Sequence, residues 1–432
     1  MQALAAVIGD TVVGYHLRTM ARLDIYYELL ARESEILHLH FWDAAFEKLK
    51  ASGAIEYATT GKNAGCWIMP WEHEGKEEVE EAKDPEESDS SAPEDQAKII
   101  VRSNGTVTYV GKDIAYQLWK FGLLGKDFHY AKWPNAPGGR ILWTTTAGSE
   151  EPGAPHFGGA DVVYNVIDSR QAYLQDVVAE GVRALGYPKE ADNSIHFDYE
   201  IVALTPRCAA EMGYDIKEEE SKSYVEVSGR KGLGVKADDL ITRMLGAAEA
   251  RVLQKQSTME REELAKTANA LAVGALRFFL LKYTRNTIIA FDFEDALKAE
   301  GETGPYCQYA VVRIRGIRRK GAEAAANRAT ISGDTLKTLL EGAENADVWE
   351  LVLLAGSLDY AVDAAIGGQE PAFVAKYAFQ LAQAFNNFYH KHHILSEADE
   401  QKRAFLMALT ELVEERLVQT LNLLGIETPE KM

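Results

Sequence analysis

The chain has 432 residues, 47% of them hydrophobic, and a formal net charge of −20. This length allows two or three domains and a sizeable buried core. No run of 18 or more apolar residues occurs, so we expect no membrane span, and the N-terminus lacks the pattern of a secretory signal. The three cysteines (Cys66, Cys208, Cys307) lack metal-ligand spacing, which favours free thiols in a reducing compartment.

The first 71 residues mix helical periodicity with two aromatic-rich apolar runs, and an acidic segment follows over 72–97. Between Glu72 and Asp95 there are 12 acidic and 2 basic residues, a local net charge of −10 and half of the total excess. Because this segment has few large apolar side chains, we predict a disordered or weakly helical insertion, with a solvated tether as its simplest role. The rest of the chain is only mildly acidic, so its charge is compatible with a nucleic-acid partner.

An α/β region is predicted next. The dipeptide Asn104-Gly105 between two β-rich runs is typical of a hairpin, and a helix should follow over 113–121, with Asp113 as a suitable N-cap. A buried-strand pattern over 161–168 leads into a helix over 171–185 and a second strand over 195–204. Strand–helix–strand spacing of this kind indicates a parallel sheet in a doubly wound fold.

The C-terminal half has the 3.6-residue apolar period almost throughout, which predicts a helical bundle. The predicted helices cover 236–256, 258–283, 303–320, 333–343, 347–366, 370–391 and 396–423.

Two short motifs in the α/β region have side chains suited to ligand binding. Tyr109 and Asp113 lie where a hairpin meets a helix, and a carboxylate beside an aromatic ring suits a planar guanidinium. The alternative is that Asp113 only caps the helix. The second motif runs from Val227 to Gly232, where two glycines and two cations could receive a triphosphate. Basic surface turns of this composition are also common without any ligand.

The helical half contains a third motif. A stretch with two tyrosines and a glutamine, over 304–310, leads into five cations within residues 313–320. This composition suits an RNA backbone with stacking on unpaired bases, although a solvated basic helix face would look the same. The histidines at 390, 392 and 393 have no companion set for a metal, so we predict no metal site.

These segments, in this order, resemble the arginyl-tRNA synthetases. Residues 99–120 are similar to the stretch vRsDGtpTYxtxDiAyhl of that family, and residues 227–232 are similar to the loop that replaces its KMSKS signature. Glu302–Ala310 together with Arg313 matches the signature GxTGPYxQYAxxR, and the ending from Leu424 to Met432 resembles lGIxxPerM. The resemblance implies a Rossmann-like class I catalytic domain, present as its second half, followed by a DALR-type anticodon-binding bundle.

The resemblance also implies roles for particular residues. It implies arginine binding by Tyr109, Asp113 and Gln171. It implies ATP binding by Ser228, Gly229, Arg230, Lys231 and Gly232, with Ser228, Arg230 and Lys231 as the catalytic set. It implies tRNA contacts by Tyr306, Gln308, Tyr309, Arg313, Tyr377 and Met432. The resemblance further implies that ATP and Mg²⁺ are required. The expected partners are tRNA(Arg), arginine and ATP, and neither a membrane nor a protein partner is expected. The expected location is the cytoplasm.

The HIGH signature of the family is absent from this sequence, since no His-x-Gly-His occurs. We therefore expect the chain to begin beyond it, as the C-terminal portion of such an enzyme. The predicted domains are 1–71 (catalytic or connective), 72–97 (insertion), 98–245 (catalytic, second half), 246–302 (helical stem) and 303–432 (anticodon-binding bundle). The missing signature leaves a catalytically silent tRNA-binding paralogue as an alternative. A synthetase for another amino acid is a weaker option, because Asp113 suits a cationic substrate.

Overall fold

The structure of the chain is a computed structural model that describes residues 2–70, 97–214, 223–226, 235–323, 333–341 and 345–432. It divides into two compact units. The first comprises residues 1–21 and 25–200, and the second comprises residues 22–24 and 201–432. The predicted combination of an α/β part and a C-terminal helical part is confirmed. The acidic insertion lies outside the described residues, except for Ala97.

The first unit contains short strands and packed helices. In chain order its elements are α1 Gln2–Arg22, β1 Leu29–Leu30, α2 Glu33–His38, α3 Phe41–Ser52, β2 Glu56–Tyr57, β3 Trp67–Pro70, β4 Ala97–Val101, α4 Tyr109–Lys120, β5 His129–Lys132, β6 Trp143–Thr146, β7 Val163–Asp168, α5 Ala172–Ala184, α6 Pro188–Asp192 and β8 Ser194–Tyr199. Strands β2, β3 and β4 form an antiparallel sheet, and β6 pairs with β1 in parallel and with β5 in antiparallel orientation.

The predicted strand–helix–strand unit is present as β7, α5 and β8, with β7 and β8 paired in parallel from Val163↔Ser194 to Asp168↔Tyr199. The predicted strand over 195–204 is wrong in one respect, because it is interrupted at Glu200 and Ile201, where the two units meet in sequence. Its second part pairs within the other unit.

Helix α4 begins four residues earlier than predicted. Thr108 occupies the N-cap position with extended backbone angles, and its hydroxyl donates to the carbonyl oxygens of Ile99 and Ile100 at 3.1 Å. This tie to β4 allows the helix to begin at Tyr109. The Asn104-Gly105 turn forms, with Gly105 at φ +83°, but the predicted second hairpin strand is reduced to one bridge between Val101 and Val107.

The buried face of α4 fixes its position in the unit. Apolar side chains at helical spacing, including Ile114 and Leu118, are fully buried among α3 and α5. Burial of such side chains stabilises a fold by about 1.5–3 kcal/mol each. The packing with α5 is close at Gly181, where an added Cβ would lie 2.8 Å from Ile114 Cδ1. The opposite face of α4 is therefore held in a defined orientation.

The second unit is mainly helical. Its elements are β9 Val202–Leu204, α7 Pro206–Glu211, α8 Ala237–Lys255, α9 Arg261–Leu281, β10 Ile289–Phe291, α10 Phe293–Leu297, α11 Gly304–Glu323, α12 Gly333–Leu340, α13 Ala346–Ala355, α14 Leu358–Gly368, α15 Ala372–Lys391 and α16 Glu400–Leu423. Strands β9 and β10 pair in parallel. One core lies among α7 to α10, and a larger one lies among α11, α13, α15 and α16.

The predicted helices of this half are confirmed with two differences. The predicted helix over 347–366 is two helices, α13 and α14, bent by 50° at Gly356 and Ser357. Strand β10 and helix α10 were not predicted, because each is too short to show a period. By length and composition alone α9 could cross a membrane, but 67% of its most apolar stretch is buried inside the unit, as in a core helix.

Candidate functional site

Tyr109 and Asp113 lie on the outward face of α4, one helical turn apart. The Tyr109 side chain is 58% exposed, and the ammonium of Lys112 lies 5.3 Å from the centroid of its ring. Asp113 is also accessible to solvent. Since α4 begins at Tyr109, Asp113 lies in the second turn of the helix, and the alternative that it caps the helix is wrong.

Protein atoms crowd the Asp113 carboxylate even though solvent reaches it. This burial raises the pKa of Asp113 to about 6, while Lys120 and Lys112 lower it and Glu33 raises it further. Among the described residues no hydrogen bond or ion pair within 4.0 Å involves this carboxylate. A partly desolvated carboxylate without a protein partner is suited to bind a cation that arrives from solution.

A polar network lies at the other end of the same helix face. Lys120 Nζ donates to Asn165 Oδ1 of β7 at 2.8 Å, and it lies 4.6 Å from the centroid of the Tyr116 ring. Ser194 Oγ of β8 accepts from Gln117 Nε2 at 2.9 Å and lies 3.4 Å from Asn165 Nδ2. The network fixes α4 to the parallel pair of strands. No sequence signal indicated it, because its members come from three separate elements.

Gln171 lies three residues after the carboxyl end of β7, at the N-cap position of α5, and it is exposed. No hydrogen bond within the described residues joins it to Tyr109 or Asp113. Its assignment to arginine binding stays a prediction.

The proposed ATP loop, which contains Ser228, Gly229, Arg230, Lys231 and Gly232, lies outside the described residues. The structure does describe Val225, two residues before the loop, which pairs with Leu204 of β9 in an antiparallel bridge.

A buried carboxylate fixes the ends of β9 and β10. Asp292 is 2% exposed and accepts from Thr205 Oγ1 at 2.6 Å and from Arg207 Nε at 2.9 Å. It also accepts from the backbone N–H groups of Glu294 and Asp295, as the N-cap of α10. These donors lower the pKa of Asp292 against the effect of its burial. The sequence did not single out Asp292, because its side-chain partners Thr205 and Arg207 are 87 and 85 residues away in the chain.

The tyrosine- and glutamine-containing stretch opens α11. Gln308 is completely buried, and its Nε2 donates to the carbonyl oxygens of Ala270 at 2.9 Å and Glu427 at 2.7 Å. It therefore joins α9, α11 and the C-terminal tail, and in this arrangement it is not accessible to RNA. Tyr306 is half-buried and packs against Phe379, with ring centroids 5.5 Å apart.

Tyr309 and Arg313 form the accessible part of this stretch. Tyr309 is 41% exposed, and the Arg313 guanidinium carbon lies 4.8 Å from the centroid of its ring. The same guanidinium lies 5.5 Å from the Tyr389 ring and donates to Asn386 Oδ1 at 2.9 Å. These contacts hold a cation over one face of the exposed Tyr309 ring, and an exposed ring next to a cation suits a nucleic acid, since the ring can stack on a base and the cation can attract a phosphate.

The five cations over 313–320 do not form the free basic face that their spacing suggested. Arg315 and Arg318 both pair with the buried Glu414 of α16, at 3.0 and 2.6 Å. Arg315 also donates to the carbonyl oxygens of Thr428 and Pro429 at 3.0 and 3.1 Å. Arg315 thereby holds the C-terminal tail on the bundle. Arg319 and Lys320 are exposed.

The two remaining residues assigned to tRNA contacts are also engaged inside the second unit. Tyr377 is 4% exposed, its hydroxyl donates to the Leu354 carbonyl oxygen at 2.9 Å, and burial raises its pKa to about 12. Met432 packs beside α8, and its carbonyl oxygen accepts from Gln256 Nε2 at 3.1 Å. Tyr377 is thus inaccessible to RNA in this arrangement, and the role of Met432 stays a prediction.

Comparisons with known proteins show what this chain is similar to. Residues 307–432 match the family model of the DALR anticodon binding domain. The chain is 33% identical to the arginine–tRNA ligase of Thermococcus sibiricus over 98% of its own length and 60% of that protein. It is 32% identical to the arginine–tRNA ligase of Deinococcus radiodurans, over 98% of the chain and 64% of that protein.

A solved structure supports the same relationship. The Thermus thermophilus arginyl-tRNA synthetase superimposes with a TM-score of 0.75 at 27% identity, covering 96% of this chain and 62% of that protein. The chain therefore spans about three fifths of the length of the relatives it matches.

Proposed function

Nearly the whole chain is similar to arginyl-tRNA synthetases in sequence and in structure. We therefore propose that it acts as an arginine–tRNA ligase in the cytoplasm. The relatives are longer than the part that this chain matches, so their activity is a proposal here. The observation that carries the proposal is the carboxylate of Asp113, accessible beside Tyr109 and without a partner among the described residues.

Arginine recognition is proposed at the outward face of α4. The Asp113 carboxylate would accept hydrogen bonds from two guanidinium nitrogens, and the Tyr109 ring would lie against the planar cation. The helix holds the two side chains one turn apart, which suits a ligand that is flat and charged. Gln171 would contribute a polar contact from the carboxyl end of β7.

The proposed reaction has two steps. The carboxylate of arginine attacks the α-phosphate of ATP, which gives arginyl-adenylate and releases pyrophosphate. A hydroxyl of the terminal ribose of tRNA(Arg) then attacks the carbonyl carbon, and AMP leaves. The residues from Ser228 to Gly232 would stabilise the charge on the phosphates, so that catalysis consists of positioning and electrostatics without a protein nucleophile.

Mg²⁺ is proposed to bind the ATP phosphates and to neutralise part of their charge. Within the described ranges no group of three or more His, Cys, Asp or Glu side chains could hold a metal ion. We therefore assign no described residue to the metal.

For tRNA, we propose that Tyr309 and Arg313 make the direct contacts on α11. Tyr309 presents a ring for stacking, and Arg313 holds that ring while its charge attracts phosphate. Gln308, Tyr306 and Tyr377 would support this surface from inside the bundle. Met432 would lie near the anticodon loop.

The test is arginine-dependent exchange between ATP and pyrophosphate, measured with tRNA present. Asp113→Ala should abolish arginine binding, a loss of at least about 100-fold, because the guanidinium loses the carboxylate that is proposed to pair with it. Binding of tRNA should change by less than about twofold. Equal losses of arginine and tRNA binding in Asp113→Ala would contradict the assignment of Asp113.

A second candidate function is a catalytically silent paralogue that binds tRNA. It is favoured by the match of residues 307–432 to the anticodon binding domain, which concerns tRNA binding and not catalysis. Tight binding of tRNA(Arg) together with no exchange activity at saturating arginine and ATP would favour this alternative over the ligase.

A further inference from the structure

The parallel strands β7 and β8 of the first unit form a pair with one covered face and one open face. On the covered face, Asn165 and Ser194 contact each other and side chains of α4. Since successive side chains of a strand alternate between faces, Tyr164 and Val166 lie on the opposite face, where they are 52% and 63% exposed. Parallel strands occur almost only in sheets that have both faces covered. An open face of this kind is therefore a candidate docking surface.

Strand β8 adds apolar side chains to the same open face. In the register of the pair, Ile195 lies beside Tyr164. Phe197 lies beside Val166, and its ring meets the ring of Tyr164 edge-on, with centroids 6.3 Å apart. Tyr199, at the end of β8, is exposed. Apolar side chains that lie together at a surface mark a site of interaction with another molecule or segment.

Helix α1 gives the same unit a second open apolar surface. Residues 4–12 are all exposed. Five exposed apolar side chains at the spacing of one helix face form the apolar stripe of α1: Leu4, Val7, Ile8, Val12 and Tyr15. On the other side of the helix, Leu17 is buried in the unit. A helix with apolar side chains on two faces is typical of a helix that is packed between two layers.

Each of the two surfaces is too small to hold a second copy of this chain. A strand pair or a helix stripe of this length has a face roughly 20 Å long and roughly 10 Å wide, whereas a stable interface buries about 800 Å² on each partner. Two copies would also each carry a formal net charge of −20, which opposes their association. A polypeptide that covers both surfaces fits better.

The relatives of this chain contain further polypeptide of a suitable size. About two fifths of the Thermococcus sibiricus protein lies outside its match with this chain. About two fifths of the Thermus thermophilus chain likewise lies outside the superimposed part, although the fold of the matched part is shared. The two open surfaces belong to the first unit, so a polypeptide that covers them would complete the α/β part of the molecule.

We propose that the open face of β7 and β8 and the apolar stripe of α1 form the docking surface for a polypeptide that corresponds to this unmatched part of the synthetases. The proposal rests on the proposed function, because it names a protein partner for the same ligase. This partner differs from the expectation from sequence, which included no protein partner.

The first test is complex formation between the full chain and the segment of the Thermococcus sibiricus relative that lies outside the match. The two are co-expressed, and the mass of the product is measured by size-exclusion chromatography with light scattering. We expect a one-to-one complex. Val166→Lys and Val7→Lys should each weaken it at least about tenfold, because an ammonium would have to be buried in the contact.

Ile141→Lys is the control, since Ile141 in the same unit is 64% exposed, nearly the same as Val166, and lies outside both surfaces. It should leave the complex unchanged. Equal weakening by Val166→Lys and Ile141→Lys would overturn the proposal. A segment that binds the matching part of its own relative but not this chain would also overturn it. A dimer of this chain alone that Val166→Lys dissociates would show that the occupant is a second copy.

The second test locates the contact by thiol labelling. The three native cysteines are buried, so a cysteine introduced at the surface can be labelled selectively with a maleimide. In the complex, labelling of Val166→Cys should slow at least about tenfold relative to the chain alone, and labelling of Ile141→Cys should not change. A complex in which Val166→Cys reacts at an unchanged rate would place the partner elsewhere and overturn the proposal.

The two tests also separate this inference from the proposed function. If the complex forms through Val166 but shows no arginine-dependent exchange between ATP and pyrophosphate, the docking surface is supported and the ligase proposal fails. If the exchange persists in a Val166→Lys chain that binds no segment, the ligase proposal is supported and the inference fails.

Discussion

Charged side chains are paired on one helix and left unpaired on another. The first case is α11 in the second unit, and the second case is the outward face of α4 in the first unit. On α11, Arg315 and Arg318 are paired with Glu414 of α16. On α4, Asp113 is partly desolvated and has no such partner within the described residues. Polar groups that are satisfied internally stabilise a fold, whereas an unpaired one reduces stability and is available for a ligand.

The largest expected effect on stability comes from breaking the ion pairs that join α11 to α16. Glu414 is 10% exposed on its side chain and pairs with two arginines, of which Arg315 is 16% exposed. Glu414→Gln would remove the buried anion of the largely buried Arg315, whose other carboxylate partner, Glu430, is exposed. It would also remove the shorter of the two ion pairs of Arg318, so we expect a loss of about 3 kcal/mol in the free energy of unfolding. Denaturant unfolding measures this loss. The control is Glu411→Gln, whose more exposed contact with Arg318 at 3.7 Å should contribute less than about 0.5 kcal/mol.

The next effect concerns the accessible part of α11. Tyr309→Ala should weaken tRNA binding by about 1–3 kcal/mol, because a stacking face is lost, with little change in stability. Tyr309→Phe retains the ring and should bind tRNA nearly normally in the same filter-binding assay. Gln308→Ala should weaken tRNA binding less than Tyr309→Ala, because Gln308 is buried. The opposite result, in a chain of unchanged stability, would show that Gln308 contacts tRNA and does not merely support the surface.

The smallest effect is a gain of stability on α4. Since burial raises the pKa of Asp113 to about 6, the folded chain holds this proton at pH values where the unfolded chain has lost it. Stability therefore falls as pH rises from about 4 to about 6, and the penalty persists above pH 6. Asp113→Asn removes the penalty. We expect it to stabilise the chain by about 1 kcal/mol or less at pH 8, because solvent screens this accessible group.

The pH dependence provides the check on this last effect. The difference in the free energy of unfolding between Asp113→Asn and the unaltered chain should decrease to nothing below about pH 4. If Asp113→Asn instead destabilised the chain at pH 8, the Asp113 carboxylate would be a structural group with satisfied interactions. The contrast between the unpaired charge on α4 and the paired charges on α11 would then disappear.

The sequence predicted the fold class and most helices of the second unit because an apolar period of 3.6 residues persists there over long segments. It also placed Tyr109 with Asp113, and Tyr309 with Arg313, because these pairs are close in the chain. It did not predict Asp292 with Arg207, or Glu414 with Arg315, since their members are about 85 and 99 residues apart. Such pairs become visible only when the elements pack.

The amino-acid sequence by itself determined the motifs and their order, and thereby the relationship to known synthetases. Only the tertiary structure decided which polar side chains remain available. Local periodicity fixes the face of a helix on which a residue lies, but the partner that neutralises it comes from another element. For this reason five cations on α11 suggested a free basic surface in the sequence, while packing against α16 and the C-terminal tail neutralises two of them.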